Sequence, residues 1–257
     1  MRREAFAFAR EFQAAPPSEL CIDRHYLLCA SQGALRLEAH GKSWVLPPAR
    51  AALIAAGEPI QVAIPRPVTT SSVLFDAGFA PEPPAPLTVF DLSPLARALV
   101  SECIGWPDAE EPLPPYARSI FGALAAVAWR LAEQPSPVTI PAGQSPELRR
   151  ALALTNERLA EDIRFEDIAR EVGLAPRSLA RRFEDESGMT WRAVLRRMRV
   201  LRAIEELAAG DASVTTIAHM VGYTSLSAFN AGFRELTGRT PTQYRATFRP
   251  SSSTDLE

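Results

Sequence analysis

Near its C-terminus the chain carries one short pattern twice, and that repetition limits the fold more than any bulk property does. The first copy runs Ile168-Ala169-Arg170-Glu171-Val172-Gly173-Leu174, continues from Pro176 to Phe183 and reaches Gly188. The second runs Ile217-Ala218-His219-Met220-Val221-Gly222-Tyr223, continues from Ser225 to Phe233 and reaches Gly238. Ile168 and Ile217 are 49 positions apart, whereas Phe183 and Phe233 are 50 apart, so the second copy has one more turn residue. Each copy predicts a helix, a glycine-containing turn and a second helix, the helix-turn-helix layout that sets a helix into a DNA major groove. Ala169 and Ala218 are small enough for the paired helices to approach. Gly173 and Gly222 supply the positive φ that ends the first helix of each pair. Two such units in tandem predict a DNA-binding regulator.

The same residues carry a family resemblance. From about Leu148 to Arg249 the chain resembles the DNA-binding domain of AraC/XylS-type transcription regulators. The match is densest along Gly222-Tyr223-Thr224-Ser225-Leu226-Ser227-Ala228-Phe229, Phe233-Arg234, Gly238-Arg239-Thr240-Pro241 and Tyr244-Arg245. The first half joins it through Gly173 to Phe183 and Glu186-Ser187-Gly188-Met189. A weaker resemblance over Trp44 to Val62 points to the cupin-like sensor domain often fused in front. The resemblance implies a bacterial-type regulator that binds double-stranded DNA and contacts the transcription machinery, with a small-molecule effector and a homodimer as further expectations.

Composition sets the outer limits. A length of 257 residues suits about two domains. No apolar run approaches the ~18 residues of a membrane span, so no membrane partner is expected. The start, Met1-Arg2-Arg3-Glu4, lacks a secretory stretch. Cys21, Cys29 and Cys103 form no C-x-x-C pair, which argues against a disulfide framework or a four-cysteine zinc site and fits the cytoplasm. The net charge of −2 hides an asymmetry. Residues 1–145 sum to −3 and residues 146–249 to +3, the latter carrying 17 arginines against 14 carboxylates. Local crowding says more: Arg177, Arg181 and Arg182 share one predicted helix, and Arg192, Arg196, Arg197, Arg199 and Arg202 another.

The fold class expected is α+β in two domains: a small N-terminal β-barrel with helices, then an all-α domain with two helix-turn-helix units. Short β-runs lie at Tyr26–Ala30, Ala34–Glu38, Ser43–Leu46, Ala51–Ile54, Ile60–Ile64 and Ser72–Phe75, with turn signals at Gln32-Gly33, His40-Gly41, Pro47-Pro48 and Gly57-Glu58-Pro59. The expected limits are 1–80 for the cupin-like barrel, 81–135 for a linker and helical region, 136–145 for a second linker, 146–249 for the DNA-binding domain and 250–257 for a flexible tail. Helices are predicted near Ser93–Cys103 and Tyr116–Glu133. In the second, Ile120, Leu124, Val127 and Leu131 recur at 4-3-4 spacing, a stripe expected to pack on the barrel and on a second subunit.

No catalytic residue, cofactor or metal site is expected. A metal-dependent cupin needs several imidazoles and a carboxylate on one ion. The chain holds only His25, His40 and His219, and Ile60 stands where the Gly-x-Pro-His pattern of the resembling stretch would place a histidine. Arg24, Tyr26, Trp44 and Phe75 are candidates to line an effector cavity, though none names an effector. An effector-blind DNA binder, or a cupin enzyme tethered to DNA, are the alternatives.

Within the helical domain, Ser145-Pro146-Glu147 reads as an N-cap, a proline at the first helical position and an acid in the first turn. A helix over Thr190–Ala209 would span ~30 Å, close to one turn of B-DNA, and hold the recognition helices in successive grooves. Leu174, Leu179, Phe183, Tyr223, Phe229 and Phe233 are assigned to the core. DNA contacts are expected from Arg177, Ser178 and Arg181 in the first unit, and from Ser225, Leu226, Ser227, Asn230 and Arg234 in the second. Arginine suits guanine, asparagine adenine and leucine a thymine methyl. Ala231 falls at the register of Arg181, so the second helix should read bases less strongly, and Arg234 is expected to grip phosphate.

Overall fold

The computed structural model describes residues 3–136 and 138–247, which divide into two compact units. The first holds residues up to 39, then 45–136 and a short C-terminal stretch from residue 245; the second holds residues 40–44 and 137–244. Phe248, Arg249 and the tail expected over 250–257 lie outside the described residues.

Unit 1 is built on an antiparallel sheet of order β1-β8-β3-β6-β9, with β1 at Ala5–Phe12, β3 at His25–Gln32, β6 at Arg50–Ile54, β8 at Val68–Phe75 and β9 at Leu87–Asp91. Its central strands are buried on both faces, as their near-continuous apolar runs require. A second sheet has the order β10-β5-β4-β7-β2, from β2 (Ala15–Leu20), β4 (Leu35–Ala39), β5 (Lys42–Leu46), β7 (Ile60–Ile64) and β10 (Ile140–Pro141). Between β4 and β5 lies a two-residue turn, His40 at φ 50° and Gly41 at φ 70°, the paired positive φ of a type I′ hairpin.

Besides the two-residue β10, three strands lie outside the β-runs expected from sequence. In β1, alanine alternates with phenylalanine, so no polar–apolar alternation marks it; only Ala5 and Ala7 are buried, against β8. In β2, Pro16 and Pro17 argue against a strand, yet β2 is an edge strand with a register shift at those prolines, where the missing N–H costs no ladder bond. The third, β9, pairs with β6 from Arg50↔Asp91 to Ile54↔Leu87, so the sheet continues past the expected barrel limit at residue 80.

Helix α1 (Pro94–Cys103) starts at Ser93, whose hydroxyl accepts from the Ala96 amide at 3.1 Å. Helix α2 (Pro115–Ala132) buries Ala117, Phe121, Leu124, Ala125, Ala128 and Ala132 in a core shared with Leu27, Leu53, Val73, Phe75 and Phe90 of the sheet. This corrects the expected stripe. Leu124 is fully buried, while Ile120, Val127 and Leu131 only border the core, and Ala123 and Ala126 are exposed. The inward face is the alanine–phenylalanine face, because small residues let the helix lie close to the sheet.

Unit 2 is helical: α3 (Pro146–Glu157), α4 (Phe165–Glu171), α5 (Pro176–Ser187), α6 (Trp191–Ala209), α7 (Val214–Met220), α8 (Leu226–Thr237) and α9 (Pro241–Ala246). The cap predicted from sequence is present, Ser145 accepting from the Leu148 amide at 3.3 Å, and Thr190 caps α6 likewise, accepting from the Ala193 amide at 3.3 Å. The segment expected as a free second linker is instead bonded along this unit. Arg197 donates to the Thr139 carbonyl, β10 pairs with Lys42 and Ser43, and Glu186 accepts from the Gln144 and Ser145 amides, both at 2.8 Å. Burial alone would raise the Glu186 carboxyl, but these bonds and the nearby Arg182 outweigh it and hold the group below the ordinary carboxylate range.

Candidate nucleic-acid interface

The two copies of the repeated pattern close their first helices with the same set of backbone hydrogen bonds. Val172 and Val221 cap α4 and α7, and Gly173 (φ 74°) and Gly222 (φ 84°) follow in the left-handed region. The Leu174 amide donates back to Ala169 O at 2.9 Å and the Tyr223 amide to Ala218 O at 2.9 Å. With the Gly173→Arg170 and Gly222→His219 bonds, these complete two Schellman caps. From there α5 starts after Ala175 and α8 after Ser225, so the extra residue of the second copy falls between glycine and recognition helix. Both helices have 12 residues, and both end on a left-handed glycine, Gly188 and Gly238.

Buried phenylalanines fix which face each helix turns outward. In α5, Leu179 and Phe183 are fully buried, four apart on one stripe. Arg177 and Arg181 are exposed on the other side, with Ser178 half-buried between them. In α8, Phe229, Gly232 and Phe233 are buried, and a ladder of edge-on rings runs Tyr223–Phe229–Phe233–Tyr244 at centroid distances of 5.3, 5.7 and 5.5 Å. Leu226 (40% exposed), Ser227 and Arg234 face out, and Asn230 is half-buried. Ser225 caps the helix, its hydroxyl accepting from the Ala228 amide at 3.4 Å, which leaves its own proton to donate. Ser213 caps α7 likewise, at 3.0 Å from Thr216 N.

The arginines sort into two classes. Among the described residues, Arg177, Arg181 and Arg234 enter no ion pair and are exposed on the recognition helices. Most of those crowded on α6, which looked like a second basic face in the sequence, are engaged. Arg196 grips Glu235 with both nitrogens at 2.5 and 2.8 Å, Arg202 pairs with Glu205 and Glu206, and Arg199 binds the carbonyls of Leu159 and Glu161. Arg182 bridges Glu147 and Glu186. Net charge hides this division, because it is set by what each side chain meets.

Within unit 1 the candidate cavity residues Arg24, Tyr26 and Phe75 do not converge. Phe75 packs toward the helices, with Phe121 and Trp129 edge-on at 6.3 and 5.6 Å. Tyr26, one residue out of phase with Phe75's partner His25, lies on the opposite sheet face, bonded to Ser72 at 2.8 Å; burial pushes its hydroxyl up to about 12. Arg24 donates to the Arg3 carbonyl at 2.9 Å. Trp44 belongs to unit 2. His25 is buried, its Nδ1 accepting from the Ala56 amide at 3.1 Å, and burial lowers its pKa. Among the described residues no three His, Cys, Asp or Glu side chains group as a metal site, and no helix is long and apolar enough to cross a membrane.

Residues 168–247 match a family model described as a helix-turn-helix domain. The chain is 30% identical over 112 residues to the regulatory protein PocR of Salmonella typhimurium, covering 44% of this chain and 37% of PocR. It therefore spans little more than a third of that relative's length. Against the HTH-type transcriptional regulator NimR of Escherichia coli it is 26% identical over 224 residues, 86% of this chain and 79% of the relative. Among solved structures, the C-terminal domain of AraT, a response regulator from Geobacillus stearothermophilus, is 30% identical over 44% of this chain and 94% of its own, with a TM-score of 0.40. Residues 168–247 are thus similar to helix-turn-helix domains, and over most of its length the chain is similar to an HTH-type transcriptional regulator.

Proposed function

We propose that the protein is a one-component regulator that sets α5 and α8 into successive major grooves on one face of a duplex. The observation that carries this reading is the selective exposure of Arg177, Arg181 and Arg234 on the two recognition helices, while most arginines of the connecting helix are spent inside the domain. Arg177, Ser178 and Arg181 read base edges from α5. In α8, Leu226, Ser227 and Asn230 touch bases more lightly, Ser225 donates to phosphate through its free hydroxyl proton, and Arg234 holds phosphate. Phosphate contacts set affinity and base contacts set sequence.

Unit 1 serves as a sensing and dimerisation module. Sensing is supported by the buried polar pair Tyr26–Ser72 and buried Thr70 on the sheet face opposite the helices, since a purely structural core needs no such groups. Dimerisation is supported by the exposed small-residue face of α2 at Ala123 and Ala126. The protein acts in the cytoplasm, through DNA and the transcription machinery, without chemistry of its own. The test is selection of duplexes by the full chain from a random-sequence pool. Enrichment of a bipartite sequence is expected; a salt-sensitive but sequence-indifferent protein would point to an architectural binder.

A further inference from the structure

One guanidinium in unit 2 joins two segments that lie far from it in sequence. Arg199, in the middle of α6, donates from Nε to the Leu159 carbonyl at 3.1 Å and from Nη2 to the Glu161 carbonyl at 3.2 Å. Both acceptors belong to the connection between α3 and α4, the entrance to the first helix-turn-helix unit. The same group lies 5.6 Å from the centroid of the Tyr223 ring, in the turn of the second unit. Beside it is Gly222: a Cβ there would stand 2.4 Å from Leu159 O and 2.7 Å from Arg199 Nη2. The second turn is thus pressed against backbone of the first unit, with the guanidinium filling the corner. Gly173, its counterpart in the first copy, has open space around it. The contact continues into α8, where a Cβ on buried Gly232 would stand 3.1 Å from the Tyr223 hydroxyl.

Among the described residues no carboxylate forms an ion pair with this guanidinium, although Asp162 acts on it electrostatically; carbonyls and a ring are its direct partners. That environment asks for arginine in particular. Its planar fork reaches two carbonyls while its face lies on an aromatic ring, which an ammonium cannot do at once. Resting on the DNA-binding reading above, we propose that Arg199 is the positioning residue that locks the two helix-turn-helix units at one separation and angle, and thereby decides how strictly the protein demands one spacing between the two halves of its site. Inserting a base pair moves the second groove by ~3.4 Å and rotates it by ~35°. A locked pair of units cannot follow such a shift, whereas a loosened pair can.

The test uses the full chain and a bipartite duplex that it has itself enriched from a random pool, together with the same duplex carrying one base pair inserted or deleted between the halves. Wild type is expected to lose roughly tenfold or more on either altered duplex, about the cost of a mismatched base pair. Arg199→Lys keeps the charge and loses the fork; its ratio of native to altered affinity should fall to within about threefold. Tyr223→Leu installs the residue that the first copy carries at this register and should move the ratio the same way. It serves as the readout if the Arg199 variant melts before it can be titrated. Arg192→Ala removes an exposed arginine from the same helix and should leave the ratio unchanged. A wild-type protein indifferent to spacing, or an unchanged ratio in a folded Arg199→Lys or Tyr223→Leu protein, overturns the proposal. Failure of the wild-type chain to enrich any duplex would instead sink the DNA-binding reading itself.

Discussion

At Gly222 a single methyl group has nowhere to go. Its φ of 84° already disfavours a side chain, and the nearest atom to a Cβ would be the Leu159 carbonyl oxygen at 2.4 Å. Gly173 has nearly the same φ but open surroundings, so only the local strain applies. Asparagine tolerates left-handed backbone best among ordinary residues. Gly173→Asn should therefore cost at most ~1 kcal/mol, whereas Gly222→Asn adds an overpacking cost of ~1–3 kcal/mol. Urea midpoints compare the two directly; equal losses would show that the second turn gives way. The exposed arginines separate by a different readout. Arg181→Ala should weaken enriched duplex by ~1–3 kcal/mol more than random duplex. Arg234→Ala should lower both alike and flatten the salt slope by about one unit. An equal loss for Arg181→Ala on both duplexes would reassign it to phosphate.

Helix α2 shows how an element is misjudged when large residues are taken to mark its buried side. Its leucines and isoleucine suggest one stripe, but Ala117, Ala125, Ala128 and Ala132 lie with Phe121 on the inward face. Leu124→Glu should consequently unfold unit 1 and cannot report on association. Ala123→Glu and Ala126→Glu change exposed positions and are the proper probes. If α2 is a dimer seam, they should give folded monomer by sedimentation, with melting temperature little changed; an intact dimer would place the seam elsewhere. The 138–145 segment yields a pH prediction. Glu186 has its carboxyl pKa held below the ordinary 4.5, so its contribution is complete above that value and is lost as pH falls through the lower, folded value. Protease nicking near Gln144 should rise in that acid window and be fast at neutral pH in Glu186→Ala. Indifference of the nicking rate to both would mean that the clamp does not hold the segment.

For the whole molecule, what the sequence made legible follows from how local each determinant is. The two glycine-ended turns, the cap at Ser145 and the buried Phe183 and Phe233 depend on neighbours within a few residues, and all were readable. The outward set from Arg177 to Arg234 followed from the same periodicity. Edge strands β1 and β2 were not legible, because one alternates alanine with phenylalanine and the other carries two prolines. The Arg199 corner was hidden for a stronger reason: it joins Leu159, Glu161 and Tyr223, up to 40 positions away from it, and no local pattern encodes that meeting.

The central claim is that both recognition helices engage one face of a single duplex at once. The 19-residue α6 between the units would span roughly 28 Å at 1.5 Å per residue, close to one turn of DNA. Hydroxyl-radical footprinting of the full chain on an enriched duplex tests this most directly. The account predicts two protected patches whose centres lie about 10–10.5 base pairs apart on the same face for each chain bound. Protection of one groove per chain, or two patches half a turn out of phase, would contradict it.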